Sequence, residues 1–248
     1  MKIFITSGGT KVPIDPVRDI TNMSHGTFGS KIATAALDQG HEVFYLVSND
    51  GRSPFTLTTD FFEEQGTVKE MTVIKRLLWE GKAEWCQRMY GRYQEVRFRN
   101  YEDYAALLKS GLEHYKPDII ILAAAVSDYL TDASKNKVRS GDSLTIHLKP
   151  SEKLIGKVKQ WCPSSFLVGF KLLVNASQDE LLEAANHSIQ KNGCDMVVAN
   201  DFVSLLSGKH EIMLVQPVEP KFAIIKDDLA SQVVRRVVER AKQCTTSS

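Results

Sequence analysis

The chain reads as an α/β protein built on a doubly wound, mostly parallel sheet. Three observations predict it. Strand-like and helix-like segments alternate over most of the 248 residues. Two strands, Lys2–Thr6 and Asp118–Ala124, are continuous apolar runs of the kind buried on both faces of a parallel sheet. The first of them runs through Gly8-Gly9 towards a helix opened by Gly26 and Gly29, a phosphate-binding strand–loop–helix with its loop stretched.

The elements follow in order. Thr27–Gln39 carries apolar residues at helical spacing, Phe28, Ile32, Ala35 and Ala36, and Gly40 stands where a helix C-terminus wants one. Glu42–Ser48 is the second strand, and Thr67–Thr72 and Val96–Arg99 read as two more. Val73–Tyr93 carries neither period clearly. Tyr101–Tyr115 is an amphipathic helix ahead of the strand at 118–124. Ser143–Leu148 alternates Leu144, Ile146 and Leu148 and reads as a half-exposed strand. Glu152–Trp161 is a short helix and Phe166–Phe170 a strand. Ser177–Asn192 begins with a capping box, Ser177 and Glu180, and stops at Gly193. Met196–Ala199 is a strand, Ile212–Gln216 and Phe222–Ile225 a closing hairpin, and Asp227–Lys242 the last helix. No linker divides the chain, so one domain over 1–248 is expected.

Composition excludes several classes. The 31 basic and 30 acidic residues nearly cancel, and no basic stripe marks a nucleic-acid surface. Cys86, Cys162, Cys194 and Cys244 are scattered, which fits a reducing cytoplasm. No apolar run approaches the ~18 residues of a membrane helix. The sequence holds no G-x-x-x-x-G-K-[ST], G-x-S-x-G or H-E-x-x-H, and no Cys/His cluster suggests zinc.

In doubly wound sheets ligands bind beyond the carboxyl ends of the strands. Those ends are Ser7-Gly8-Gly9, Ala125-Val126-Ser127-Asp128, Phe170-Lys171 and Asn200-Asp201. An ordinary dinucleotide fingerprint packs its glycines into about six residues; here residues 10–25, with Asp15, Arg18, Asn22 and Ser24, intervene. Such a loop has room for more than a pyrophosphate. Arg18 could bind a phosphate or carboxylate, or be a solvated charge. Asn22 could donate to a developing oxyanion, or be a helix cap. Asp128, flanked by small Ala124, Ala125 and Ser127, could bind a ligand's polar groups or cap a turn. Lys135, Lys137 and Arg139 could neutralise phosphate charge, or be a plain charge run. Lys149, Lys153, Lys157 and Lys159 read as surface charge. His25 falls in the glycine loop without an evident role.

Two rivals share this sheet. An NAD(P)-dependent oxidoreductase wants an acid at the end of the second strand, but Asp50 lies past that position and Arg52 follows. It also wants an acid–base pair, and four residues after Tyr129 stands Ala133, not Lys. A nucleotide-sensing module would explain the glycines but not Asn22, Asp128 and Lys137 together. The phosphate site without a protein nucleophile suits a substrate that supplies its own.

The ordered motifs Ser-Gly-Gly-Thr (7–10), Pro-Ile-Asp-Pro-Val-Arg (13–18), Asn-x-Ser-x-Gly-x-x-Gly (22–29), Ala-Ala-Ala-Val-Ser-Asp (123–128), Lys-Val-Arg (137–139), Val-Gly-Phe-Lys (168–171) and Val-Val-Ala-Asn-Asp (197–201) resemble the phosphopantothenoylcysteine synthetase family, the phosphopantothenate–cysteine ligases. The resemblance implies a Rossmann-like sheet with an additional antiparallel dimerisation and flap element. It implies a stand-alone form without the flavin-binding decarboxylase half that many bacteria fuse to it. It implies a step of coenzyme A synthesis. The carboxylate of 4′-phosphopantothenate attacks the α-phosphate of a nucleotide and expels pyrophosphate. The amine of L-cysteine then displaces the monophosphate.

By motif position, Gly8, Gly9, Ser24, Gly26, Gly29, Phe170 and Asn200 resemble nucleotide-contacting residues. Asn22, Ala124, Ala125 and Asp128 resemble the phosphopantothenate pocket, with Asn22 holding the acyl intermediate. Arg18 resembles an arginine that reaches a neighbouring subunit's site, implying a homodimer. Lys137 resembles the lysine that steadies charge at the reacting phosphate. Mg²⁺ on the phosphates is implied, its protein ligands unknown. Departures are His25 in place of a serine, Lys-Val-Arg-Ser in the basic loop, and Leu173-Val174 after Phe-Lys-Leu. The last two bear on the base; CTP is expected, with ATP the alternative.

Overall fold

The structure, a computed structural model, describes residues 1–54, 89, 91–139, 141, 143–206, 211–218 and 222–246. In chain order its strands are β1 (Lys2–Ser7), β2 (Lys11–Asp15), β3 (Arg18–Thr21), β4 (Glu42–Ser48), β5 (Tyr93–Phe98), β6 (Ile119–Leu122), β7 (Tyr129–Thr131), β8 (Leu148–Pro150), β9 (Phe166–Leu173), β10 (Met196–Asp201), β11 (Ile212–Val215) and β12 (Phe222–Ile225). The longer helices are α1 (Thr27–Asp38), α2 (Tyr101–Tyr115), α3 (Gln178–Asn192) and α4 (Leu229–Thr246).

Eight strands form one sheet in the order β12-β11-β10-β9-β6-β1-β4-β5. From β5 to β10 every pairing is parallel, and only the β10–β11 and β11–β12 pairs are antiparallel. The chain winds from β1 through β4 to β5, returns to the far side of β1 as β6, and winds on through β9 and β10. The winding therefore reverses between β1 and β6, the place where ligands bind in sheets of this kind.

The two-residue period of the strands sorts the core. Ile3 and Ile5 pack with Ile32, Ala33 and Ala36 of α1 and Val233, Val234 and Val237 of α4. Phe4 points to the opposite face, where it stacks on Phe44 at a ring-centroid distance of 4.7 Å. That face is covered by Leu108 and Leu112 of α2 and by Leu181, Ala185 and Ile189 of α3. Each of the larger of these side chains, the Val, Leu, Ile and Phe residues, contributes about 1.5–3 kcal/mol on burial. The caps hold as the sequence predicts. Ser177 Oγ accepts from the Glu180 amide in a complete capping box, and α3 ends at left-handed Gly193.

Three expectations change, and others fall outside the described residues. The stretched loop is not all loop: β2 and β3 form an antiparallel hairpin inside it. The Asp15-Pro16 turn closes the hairpin, Asp15 Oδ1 accepting from the Val17 amide at 2.9 Å. Residues 143–147 lie outside any strand. The alternating apolar residues there have no sheet to face, Leu144 staying 49% exposed, and pairing begins only at Leu148, opposite Thr131. The strands predicted to end at Phe170 and Ala199 run on to Leu173 and Asp201, because β9 and β10 pair with each other to that point. The strand predicted at Thr67–Thr72, and most of Val73–Tyr93 with Cys86, lie outside the described residues.

Candidate active site

Past the ends of β1 and β6 the two segments are bridged by a ladder of hydrogen bonds. The Ala123 amide donates to the Thr6 carbonyl at 3.1 Å, and the Ala125 amide to the Gly8 carbonyl at 2.7 Å. Thr10 N–H donates to the Ala125 carbonyl at 3.2 Å. Two buried hydroxyls extend the ladder: Thr6 Oγ1 accepts from the Ala124 amide and Thr10 Oγ1 from the Ser127 amide at 2.8 Å. Segments 6–10 and 123–127 thus form one rigid seam. The sequence marks these threonines only as polar residues in apolar surroundings.

Glycine lets three backbones meet on this seam. Gly8 and Gly26 have φ of 81° and 72°, a region closed to most side chains. A Cβ on Gly29 would stand 2.2 Å from Ser7 Oγ, and one on Gly26 2.5 Å from the same atom. Ser7 Oγ donates instead to the Gly26 carbonyl at 3.1 Å. The start of α1 is thereby drawn onto the end of β1. Gly26 is the N-cap and offers no side-chain acceptor to the first turn. The first N–H groups of α1 and the positive end of its dipole thus lie beside Ser7 and Gly8, an arrangement that favours an anion.

Asn22 lies over Gly9, the two approaching so closely that a Cβ on Gly9 would sit 3.4 Å from Asn22 Cβ. Its Nδ2 donates to the Ala125 carbonyl at 2.8 Å. That bond fixes an exposed neutral amide beside the seam. Ser24 is exposed, its carbonyl also beside Gly9. Phe170 packs edge-on against Phe28 of α1 at 6.1 Å. The strand period carries Asn200, two residues beyond Val198, to the same side of the sheet. Gly8, Ala125 and Asn200 stand at or just past the ends of β1, β6 and β10, with Phe170 inside β9 between them, across four adjacent strands about 14 Å wide at the usual strand spacing.

Of three further predicted residues, Asp128 and Arg18 have partners within this chain. Asp128 is 64% exposed at its side chain and ion-paired to Lys153, which the sequence reading left as surface charge. Arg18 Nη1 donates within this chain, to Asp15 Oδ2 at 2.9 Å and to the Val138 carbonyl at 3.2 Å. Lys137 is exposed, next to Val138, whose amide donates to Asp15 Oδ2 at 3.1 Å. Asp15 itself is buried. The Val17 amide, then the Val138 amide and the Arg18 guanidinium, hold its carboxyl below the ordinary carboxylate range, against the opposing effect of burial. The sequence reading named Asp15 without giving it a role; the signal was an Asp-Pro turn between β-branched residues. Asp50, the candidate ribose acid of a dinucleotide site, is ion-paired with Lys11. Among the described residues no group of three or more His, Cys, Asp or Glu is placed to hold a metal. Among them, too, no helix is long and apolar enough to cross a membrane.

Comparison with known proteins places this architecture. Residues 1–71 and 89–241 match the DNA/pantothenate metabolism flavoprotein C-terminal domain. The coenzyme A biosynthesis bifunctional protein CoaBC of Thermococcus kodakarensis is 33% identical over 86% of this chain and 44% of its own. Human phosphopantothenate–cysteine ligase is 30% identical over 80% of this chain and 71% of its own. The chain spans about half the length of the CoaBC relatives it matches. Among solved structures, a Cab2 mutant in complex with phosphopantothenate-cysteine superposes with a TM-score of 0.83 at 22% identity, over 99% of this chain and 88% of that one. The DNA/pantothenate metabolism flavoprotein from Streptococcus pneumoniae superposes with a TM-score of 0.74 at 24% identity, over 98% and 99%. These two likenesses are of fold.

Proposed function

The chain belongs to the DNA/pantothenate metabolism flavoprotein C-terminal domain family, and we propose that it joins 4′-phosphopantothenate to L-cysteine through an acyl-nucleotide intermediate. The observation that carries this reading is the placing of Asn22 on the Ala125 carbonyl, close to the start of α1 with its Gly26 N-cap. One pocket can then hold a nucleotide phosphate at the helix N-terminus and an acyl group at the seam.

The chemistry follows from these positions. The substrate carboxylate oxygen bonds to the α-phosphorus and the bond to pyrophosphate breaks, the leaving charge falling on pyrophosphate. The N–H groups of Gly26–Gly29 steady the phosphate, and Lys137 offsets the charge that builds on it. The cysteine amine then attacks the acyl carbon, the nucleoside monophosphate departs and the amine proton leaves with it. Asn22 donates a neutral hydrogen bond near the acyl oxygen in both steps. No protein nucleophile is required. Mg²⁺ would enter on the nucleotide phosphates, since the described residues offer no carboxylate cluster of their own.

We take CTP as the nucleotide, with ATP as the alternative, and a homodimer as the working unit. Exposed apolar residues along and beyond the hairpin support the dimer, with Val17 at its tip 64%, Ile20 38% and Met23 84% exposed. A pyrophosphate-release assay with each of four nucleotides tests the whole reading. Release is expected with CTP and only in the presence of 4′-phosphopantothenate. Release with none of the four overturns the ligase; release with ATP alone corrects the base.

A further inference from the structure

Asp15 is the point where two segments of the candidate site are joined. Its side chain is fully covered, so it cannot touch a substrate arriving from solvent. A covered carboxylate is costly unless every lone-pair direction finds a donor. Oδ1 takes the Val17 amide at 2.9 Å, which closes the hairpin. Oδ2 takes Arg18 Nη1 at 2.9 Å and the Val138 amide at 3.1 Å. Arg18 Nη1 reaches on to the Val138 carbonyl at 3.2 Å. Both backbone groups of Val138 are thus bound by one carboxylate–guanidinium pair, much as a neighbouring strand would bind them.

The segment so gripped needs a grip. Residues 132–137 and Arg139 are exposed, and Lys135, Lys137 and Arg139 repel one another. Little apolar packing holds them. Two further bonds help: the Ser134 amide donates to the Ile14 carbonyl at 2.9 Å, and Thr131 Oγ1 donates to the Pro13 carbonyl. Both also land on β2, the strand that ends in Asp15. On the other arm of the hairpin the chain runs through Arg18 to Asn22.

We propose that Asp15 is a positioning residue that holds the basic segment carrying Lys137 against the hairpin carrying Arg18 and Asn22. The structural half concerns only the clasp. The functional half, that the clasp sets Lys137 for phosphate transfer, rests on the ligase reading above.

Asp15→Asn tests it with little change in shape. The amide, in either orientation, sets its NH₂ against at least one of the three N–H donors. Hydrogen exchange at the Val138 amide, and tryptic cleavage after Lys137, are expected to quicken about tenfold or more, as loss of a hydrogen bond to a charged group implies. Turnover, read as pyrophosphate release, should fall about tenfold with the nucleotide KM nearly unchanged, and Asp15→Asn should add nothing on a Lys137→Ala background. Should Asp15→Asn not fold, Val138→Pro removes the clasped N–H donor of the basic segment and is expected to speed tryptic cleavage after Lys135, the Lys137–Pro bond being itself resistant. Cleavage and exchange at wild-type rates overturn the clasp. Faster exchange with losses that add to those of Lys137→Ala overturns the positioning role. If the unaltered chain releases no pyrophosphate, the ligase reading falls, while the exchange rates still decide the clasp.

Discussion

Around Ser7 the start of α1 closes on the end of β1 because Gly26 and Gly29 have no side chains to keep them apart, and Gly8 lets the same turn lie against Ser48 of β4. Around Asp15 two segments are joined because a carboxylate and a guanidinium bind the same peptide unit. The first region is specified by what is missing, the second by what is charged. Packing of this kind admits one geometry and resists any added atom. A charged clasp can be opened by removing a proton acceptor and leaves the rest standing. The fixed region is the one proposed to hold the nucleotide phosphate. The clasped region is the one proposed to meet the substrates that must come and go.

The largest effect is expected where the two regions touch, at Asn22. Asn22→Ala keeps the backbone over Gly9 and removes only the amide fixed on the Ala125 carbonyl. Loss of one preorganised donor costs turnover about 10²–10³-fold. Nucleotide binding, measured by calorimetry, should survive, because the glycine seam is untouched. Full activity in the variant would show that the seam alone does the work.

Next comes the seam itself. Gly29 has ordinary helical backbone, so alanine there would by itself favour α1 by about 1 kcal/mol. The added Cβ would meet Ser7 Oγ at 2.2 Å and Ser7 Cβ at 2.7 Å. Overpacking costs about 1–3 kcal/mol, so Gly29→Ala should lower the melting temperature and weaken nucleotide binding. Ser7→Gly on the same chain clears both atoms and should restore most of the loss, though the bond to the Gly26 carbonyl goes with the serine. No recovery would mean that the fit around Ser7 is not what excludes side chains.

The clasp should answer to acid, and the seam should not. Bonding holds the Asp15 carboxyl below its ordinary value of 3.8 in the folded chain. The stability given by its ionised form is therefore complete above that value and is lost as pH falls through the lower folded one. Urea melts of the unaltered chain and Asp15→Asn should differ equally at neutral pH and about pH 5, and converge at lower pH. A gap that closes already near neutrality would place the titrating group elsewhere.

The two regions were not equally legible in the sequence. The parallel strands, the helices on both faces and the capping box announce themselves through apolar period and cap chemistry, which are local. So do the glycines, since few other uses explain two pairs of them flanking a strand and a helix. The hairpin of β2 and β3 was hidden because Lys11–Thr21 is short and rich in charge, and its meaning lies in contacts with residues 131–138. Asp15 carried no role in the sequence; it closes the turn, and that it also holds Val138 depends on a contact across more than a hundred residues of chain. Ser143–Leu148 failed for the opposite reason. Its alternation is a sound local signal, but the sheet it would pair with is only three residues long.

The smallest effect is expected at the outermost charges, and it separates exposure from charge as the cause. Asp128 and Lys153 form an ion pair, as Asp15 and Arg18 do, but both partners are more than half exposed. Exposed pairs are worth at most about 1 kcal/mol, so Lys153→Met should scarcely change the melting temperature. It would nonetheless free Asp128 beside the seam. If Asp128 binds the polar groups of the acyl substrate, the KM for 4′-phosphopantothenate should shift while that for the nucleotide stays put. A loss of stability as large as that of Asp15→Asn would show instead that the charge pairs of this surface act alike whatever their burial.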